Sequence, residues 1–118
     1  MTQYTIHIPR WRPTPLNKLL SGHWSKAARL KKADKHMIWS HSLLVPKATG
    51  KRRVDLHVIL GPGMRRTDVD SMWKSGLDGL VAAGMLIDDT TEWTELGSVT
   101  FGRNKAEGST VITLTEIG

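Results

Sequence analysis

The chain has 118 residues and a formal net charge of +6, with 17 Lys and Arg against 11 Asp and Glu. This length favours one domain with one core, and the lack of cysteine excludes disulfides and thiolate metal sites. The positive charge favours a polyanionic partner such as nucleic acid, because Lys and Arg that bind phosphates release counterions.

Two further classes are disfavoured by the sequence. The five histidines lack the spacing of a zinc site. No apolar run approaches the roughly 18–20 residues that span a bilayer, and the amino terminus does not resemble a signal peptide. We therefore expect a cytosolic protein.

The first predicted element is a strand at residues 3–8, where Tyr4, Ile6 and Ile8 fall on one face. Three prolines at positions 9, 13 and 15 then indicate an extended loop, since proline fixes the backbone and cannot donate a hydrogen bond.

A helix is predicted from Ser25, its N-cap, to about Leu44, and Pro46 stops it. Helical spacing assigns one side to the core: Leu30, Ala33, Met37, Ile38, His41 and Leu44. The opposite side, here called the basic face, carries Lys26, Arg29, Lys32, Lys35 and His36. A solvated surface and a DNA-facing surface are equally good interpretations of this face.

A second cationic stretch, Lys47 to Arg53, includes Lys51 and Arg52. Clean alternation then predicts a strand from Val54 to Leu60, before the break at Gly61-Pro62-Gly63.

The second predicted helix runs from Ser71 to Ala83, with Asp70 as N-cap and Gly84 as the first residue beyond its end. Its apolar stripe consists of Trp73, Leu77, Leu80 and Val81. Asp70, Lys74 and Asp78 recur every fourth residue and so share the neighbouring face.

After this helix, Met85–Ile87 is interpreted as an extended return that leads into an acidic turn at Asp88-Asp89. Strands are predicted at residues 96–101 and 110–117, joined by a hairpin loop at 102–108. The order of elements predicts a single α+β domain over residues 1–118, with two helices packed on one mixed or mainly antiparallel sheet.

The lengths of these elements suggest that four acids meet. A helix of about thirteen residues advances roughly 20 Å, and an extended return over five residues recovers about 16 Å. Asp88 and Asp89 would then lie near the level of Asp68 and Asp70. Clustered carboxylates either raise one another's pKa or recruit a cation, and oxygen ligands favour Mg²⁺. The alternative is purely structural: Asp70 as a helix cap, and Asp88-Asp89 as a turn.

The same region carries a family resemblance. The run Arg65 to Ser71, followed by Lys74, Asp78-Gly79-Leu80 and Ile87-Asp88-Asp89, resembles the signature of the RusA family of Holliday junction resolvases. One departure is Ser71, because the family carries Asn at this position. Serine still offers a hydrogen bond near the helix start.

The resemblance implies a Mg²⁺-dependent endodeoxyribonuclease, with Mn²⁺ as an alternative ion. It would resolve four-way DNA junctions by paired nicks that leave 5′-phosphates, in recombination and repair. Asp68, Asp70 and Asp89 would be the metal-binding catalytic acids and Lys74 the catalytic lysine, with Asp88 either a further ligand or a neighbouring acceptor. The resemblance further implies a homodimer, encoded by a bacterium or a phage.

Phosphate contacts are expected from Arg65 and Arg66, which adjoin the acids, and from other cations. These are Arg29 and Lys32 on the basic face, and Lys51 and Arg52 in the second cationic stretch. Ordinary solubilising charge remains the alternative. Two rival functions also remain open: a non-catalytic protein that binds branched DNA, and a nuclease for other branched, flap or RNA substrates.

The five tryptophans divide into two groups. Trp39 and Trp73 occupy helical positions that predict core packing. Trp11, Trp24 and Trp93 lie in or beside loops, where they could anchor a loop, contact a second subunit or stack on an unpaired base.

Overall fold

The computed structural model describes residues 2–14, 24–64 and 69–118, and the side chains in these ranges except those of Trp24 and residues 69–71. The described chain contains four strands and two helices, and each of the first two strands is followed by a helix. In order they are β1 (Gln3–Pro9), α1 (Trp24–His41), β2 (Arg52–Leu60), α2 (Val69–Ala82), β3 (Thr94–Arg103) and β4 (Ser109–Glu116). The predicted α+β class, with two helices on one sheet, is confirmed.

The four strands form a single mixed sheet in the order β1-β4-β2-β3. β4 pairs antiparallel with both β1 and β2, whereas β2 and β3 are parallel. Parallel neighbours need a crossover connection, which is usually a helix. The segment that contains α2 is that crossover, and its end therefore leads directly into the start of β3.

The core lies between one face of the sheet and the two helices. Along β2 the buried residues alternate with more exposed ones, so that Val54, Leu56, Val58 and Leu60 face the helices. Ile38 of α1 belongs to the same buried cluster as Val54 and Leu56, whereas Val58 and Leu60 pack with Met72 of α2. Full burial of an aliphatic side chain contributes about 1.5–3 kcal/mol, so this alternation fixes which face of β2 meets the helices.

The helix α1 ends at His41, three residues before the predicted end at Leu44. The Ser42 hydroxyl donates to the carbonyl oxygen of Ile38, and the Ser42 amide to that of Trp39 (3.2 Å), which caps the last turn. Leu44 follows this cap and is 99% exposed. Only part of the predicted core stripe is correct, because Ile38 is buried but His41 is exposed.

A buried carboxylate holds the proline-rich loop on α1. Asp34 is buried and accepts hydrogen bonds from Trp11 Nε1 (2.9 Å) and from the Thr14 amide (3.1 Å). Both carboxylate oxygens therefore have a donor, which buried polar groups require.

The predicted hairpin between the last two strands is wrong, because β2 lies between β3 and β4. The connecting loop instead crosses the end of β2. The Asn104 amide donates to the Leu60 carbonyl (2.9 Å), and the Arg10 amide donates to Gly108 (2.8 Å). A Cβ atom on Gly61 would lie 2.4 Å from the Gly108 nitrogen, so this crossing requires glycine at position 61.

The predicted extended return at Met85–Ile87 is also wrong. Gly84 has a φ of 79°, as predicted for the residue beyond the helix end. The Met85 amide donates to the Leu80 carbonyl (2.9 Å) and the Gly84 amide to that of Val81 (3.0 Å), the two bonds of a Schellman cap. The chain thus turns sharply at the end of α2. None of the helices among the described residues is long and apolar enough to cross a membrane.

Candidate acidic cleft

An open surface cleft of about 380 Å³, here called the acidic cleft, lies between the two helices and the turn after α2. Its charged lining residues, among those that the structure describes, are Asp78 on α2, Asp88 and Asp89 in the turn, and Lys35 on α1. Val81 and Ala82 supply its apolar wall. The cleft therefore brings the acidic pair together with a third carboxylate and one ammonium group.

The acidic pair is held by the turn that leads into β3. The Thr94 hydroxyl donates to the Asp88 carbonyl (2.6 Å), and the Thr94 amide donates to the Thr90 carbonyl (2.9 Å). One carboxylate oxygen of Asp88 accepts the Asp89 amide (2.8 Å). Both side chains are otherwise exposed to solvent, so the backbone of the pair is fixed while most of its carboxylate oxygens face the cleft or the solvent.

Arg52 anchors the chain just before the acidic pair. This residue is only 1% exposed, and its Nε is paired with Glu116. Its other guanidinium nitrogens donate to the carbonyls of Met85 (3.0 Å) and Pro46 (2.9 Å), and the group lies 5.1 Å from the centre of the Tyr4 ring. The predicted phosphate contact of Arg52 is therefore corrected, because its guanidinium is buried and fully engaged.

Lys74 and Asp78 lie four residues apart on α2 and so share one face of the helix. Lys74 is exposed, and Asp78 is half-buried in the acidic cleft. α2 begins at Val69, which puts Asp70 inside the first turn rather than at the predicted N-cap. Asp78 follows Asp70 by two turns, or about 12 Å along the axis.

Several predicted site residues lie outside the described part of the chain. These are Arg65, Arg66 and Asp68, together with the side chains of Asp70 and Ser71. Their meeting with Asp88 and Asp89 stays a prediction that rests on the family resemblance, because the extended return from which it was also derived is not formed.

The remaining predicted phosphate contacts differ in exposure. Arg29 and Lys32 are exposed on α1, as the basic face requires, whereas Lys51 is half-buried. The Lys51 carbonyl accepts the Ile117 amide (3.1 Å), so its backbone extends the pairing of β2 with β4 by one residue. Lys35 was assigned to the basic face, and its position in the acidic cleft follows from the packing of α1 against α2.

The donor chemistry of the cleft suits a hard cation, because carboxylate oxygens are what Mg²⁺ prefers. Among the described residues, however, no three acidic or histidine side chains are grouped closely enough to hold a metal ion. The described carboxylates therefore do not form a metal site by themselves.

Another acid of the sheet, Asp55, has a different environment. Its carboxylate accepts hydrogen bonds from the Ser98 amide (2.8 Å) and hydroxyl (3.1 Å), and from Arg53 Nε (3.2 Å). Partial burial raises the pKa of Asp55, but the hydrogen bonds from Ser98 and Arg53 and the charge of Arg53 outweigh it, so the pKa lies below its ordinary value. The Asp55 carboxylate is therefore engaged in hydrogen bonds within the protein.

The tryptophans only partly follow prediction. Trp73 is buried as expected, but Trp39 is 52% exposed, which corrects its predicted core position. Trp11 anchors its loop through Asp34, and Trp93 is half-buried. A signal for Trp39 was present in the sequence: it follows the buried Ile38 by about 100° around the helix, which turns it away from the core.

No protein-family model matches this chain, and no curated protein matches it.

Proposed function

We propose that the protein is a Mg²⁺-dependent endodeoxyribonuclease that resolves four-way DNA junctions by paired nicks, leaving 5′-phosphates. The observation that most supports this proposal is that Asp88 and Asp89 line a cleft together with Asp78, in a protein of net charge +6. Carboxylates that open into a cleft supply the oxygen ligands that a metal-dependent phosphodiesterase needs. The resemblance to the RusA family supplies the DNA substrate.

The proposed metal ligands are Asp68, Asp70 and Asp89, with Asp88 as a further ligand or a neighbouring acceptor. Bound Mg²⁺, or Mn²⁺ in its place, would polarise the phosphodiester and lower the pKa of the attacking water. The protein's own part is to aim the carboxylates. Asp89 depends for this on the turn that Thr94 closes and on the anchor that Arg52 provides at Met85.

Lys74 is proposed to offset the negative charge that develops on the phosphate in the transition state, as a fixed cation can. Its place one turn before Asp78, on the face of α2 that leads into the cleft, supports this role. Lys35 adds a second ammonium group at the cleft, and it attracts the phosphate backbone towards acids that would otherwise repel it.

The DNA is proposed to lie along the basic face, where Arg29 and Lys32 are exposed, and against Arg65 and Arg66. A homodimer would present two acidic clefts to a junction that itself has two-fold symmetry, and so would nick two strands. We propose that it acts in the cytoplasm of a bacterium, encoded by the host or by a phage.

A cleavage assay tests the proposal. Purified protein is incubated with labelled four-way junction, linear duplex and single strand, each with Mg²⁺ or with EDTA. Asp70→Asn and Asp89→Asn are the test variants, and Glu92→Gln is the matched control because Glu92 is an exposed acid of the same turn outside the cleft lining. We expect paired nicks on the junction with Mg²⁺ only, lost in both test variants and retained in Glu92→Gln.

The rival functions give different results in the same assay. Junction that is bound but never cut, with or without Mg²⁺, would instead identify a non-catalytic branched-DNA-binding protein. Cutting of flaps or linear duplex as fast as the junction would retain the nuclease but remove its junction specificity.

A further inference from the structure

A second surface of the helix layer has the chemistry of an aromatic binding site. The Trp39 ring is half exposed at the C-terminal end of α1, and it lines a small cavity of about 140 Å³ together with Leu43, Val45 and Met85. Lys47 lies at the same cavity, and its aliphatic stem would be 3.2–3.5 Å from a Cβ atom on Gly84. A flat apolar wall therefore adjoins an ammonium group.

The size of this cavity suits one ring. An apolar cavity of about 150 Å³ in another protein accommodates benzene, so the space beside Trp39 is sufficient for a planar aromatic group. His36 already lies against Trp39, with ring centres 6.0 Å apart and planes at 35°. The remaining exposed part of the indole is then free to stack on a ring that enters from the solvent.

The charge around this cavity indicates which kind of partner it would bind. The cavity is flanked by Lys47, and one turn before Trp39 on α1 lies Lys35. None of the described residues that line the cavity is acidic. A second copy of the chain would bring equal positive charges together at this surface, whereas a polyanion that carries flat rings would satisfy both the apolar wall and the ammonium groups. Single-stranded nucleic acid has this composition, since aromatic platforms and cationic grooves are how proteins bind it.

The cavity also adjoins the acidic cleft. Lys35 lines the cleft and Trp39 lines the cavity, and the two residues are four apart on α1. Ala82, the last residue of α2, lines the cleft, and Ala83, the next residue, lines the cavity. A nucleotide strand that passes the acidic pair would therefore reach Trp39 within about one helical turn.

We propose that Trp39 stacks on an unpaired nucleobase of a nucleic acid strand, with Lys35 and Lys47 on its phosphates. The proposal rests on the proposed function in one respect: the unpaired base is taken to come from the opened centre of a branched DNA. Stacking itself is testable without any cleavage.

The test measures binding of a short fluorescein-labelled oligothymidine by anisotropy, in EDTA so that nothing is cut. An abasic oligomer of equal length carries the same phosphates without the rings, and a blunt duplex carries no unpaired base. The variants are Trp39→Ala, Trp39→Phe and, as a matched control, Leu44→Ala, because Leu44 is an exposed apolar side chain outside the cavity lining.

We expect Trp39→Ala to weaken oligothymidine binding by about 5- to 150-fold, as stacked bases contribute about 1–3 kcal/mol each. Trp39→Phe should retain most of the affinity, Leu44→Ala all of it, and duplex binding should not change. Wild-type protein should bind the abasic oligomer as weakly as Trp39→Ala binds oligothymidine.

Equal affinity of wild type and Trp39→Ala for oligothymidine would overturn the proposal, as would equal affinity of the wild type for the abasic oligomer. If Trp39→Ala leaves binding unchanged but converts a dimer into a monomer in sedimentation, the surface is a subunit interface and the proposal is wrong. A protein that cuts no junction, yet loses oligothymidine binding in Trp39→Ala, would refute the nuclease and leave the stacking site standing.

Discussion

Asp55 on the sheet and the carboxylates of the acidic cleft differ in the donors that surround them. The Asp55 carboxylate meets the backbone and hydroxyl of Ser98 and the guanidinium of Arg53. Within the described part of the chain, the Asp88 carboxylate accepts the amide of its neighbour Asp89, and both residues are exposed. The first carboxylate is consumed in holding two strands together, whereas the second group retains oxygens for a ligand. Burial and hydrogen bonding, more than charge, separate structural acids from candidate site acids in this protein.

The largest expected effect is on activity. Asp89→Asn should lower the rate of junction cleavage by about 1000-fold. Removal of a single group that stabilises charge in an enzyme's transition state lowers the rate by about 100- to 1000-fold, and Asp89 is also a proposed metal ligand. The urea midpoint of this variant should stay at the wild-type value, because the side chain is exposed. Asp55→Asn serves as the comparison and should retain cleavage. Equal loss of activity in both variants would abolish the distinction between the two regions.

Arg52 connects β2 to the segment that precedes the acidic pair, and its removal should weaken that connection. Arg52→Met leaves Glu116 and two backbone carbonyls without their donor. Breaking a buried pair in this way costs about 3–5 kcal/mol, and we expect the lower end because Glu116 is partly exposed. Urea unfolding measures the loss, and the double variant Arg52→Met/Glu116→Gln should recover part of it. An unfolding free energy equal to wild type would show that Arg52 is no anchor.

Most elements of the fold could be predicted from periodicity, but their spatial neighbours could not. Alternation located β2 because one of its faces is buried. The order of the strands is set by contacts between distant segments, so the sequence suggested a hairpin for β3 and β4, which in fact lie on either side of β2. The sharp turn after α2 was missed because Gly84 was interpreted only as the end of a helix.

The site was predictable to a similar degree. The sequence predicted that Asp88 and Asp89 meet Asp68 and Asp70, whose side chains lie outside the described part of the chain. The structure instead brings the acidic pair to Asp78, which was not part of the predicted cluster. The sequence alone could not show that Arg52 is buried while Arg53, its neighbour in a run of cations, pairs with Asp55 on the other face of the sheet. Strand alternation turns Arg52 towards the core and Arg53 towards Asp55, and only knowledge of which face is covered distinguishes them.

A glycine next to Asp55 tests the structural region further. At the register shift between β2 and β3, a Cβ atom on Gly97 would lie 2.1 Å from an oxygen of Asp55. Gly97→Ala should therefore displace the Asp55 carboxylate from its hydrogen bonds and destabilise the protein by about 1 kcal/mol, since the atoms that the new Cβ meets are the ends of partly exposed side chains that can move. Gly50→Ala is the control, since its Cβ would meet only ordinary contacts. Thermal unfolding compares them, and equal midpoints for the two variants would contradict the tight fit at Asp55.

The smallest expected effect is a pH dependence. The pKa of Asp55 is lower in the folded protein than its ordinary value, so the folded state binds fewer protons. The stabilisation is present above the unfolded pKa, near 3.9, and is lost as the pH falls through the folded pKa. The difference between wild type and Asp55→Asn, about 1 kcal/mol or less for such a partly exposed ion pair, should vanish in acid. A difference that grows as the pH falls below 4 would contradict this sign.

The most direct test of the open carboxylates is paramagnetic broadening by Mn²⁺, which takes the same oxygen ligands as Mg²⁺. Amide resonances of Asp78, Asp88 and Asp89 are followed as Mn²⁺ is added, with those of Asp55 and Ser98 as the internal reference. We expect selective broadening around Asp88 and Asp89, competed away by excess Mg²⁺ and absent in Asp89→Asn. Broadening centred on Asp55, or none at the acidic cleft at millimolar Mn²⁺, would contradict the assignment of the cleft as the metal-dependent site.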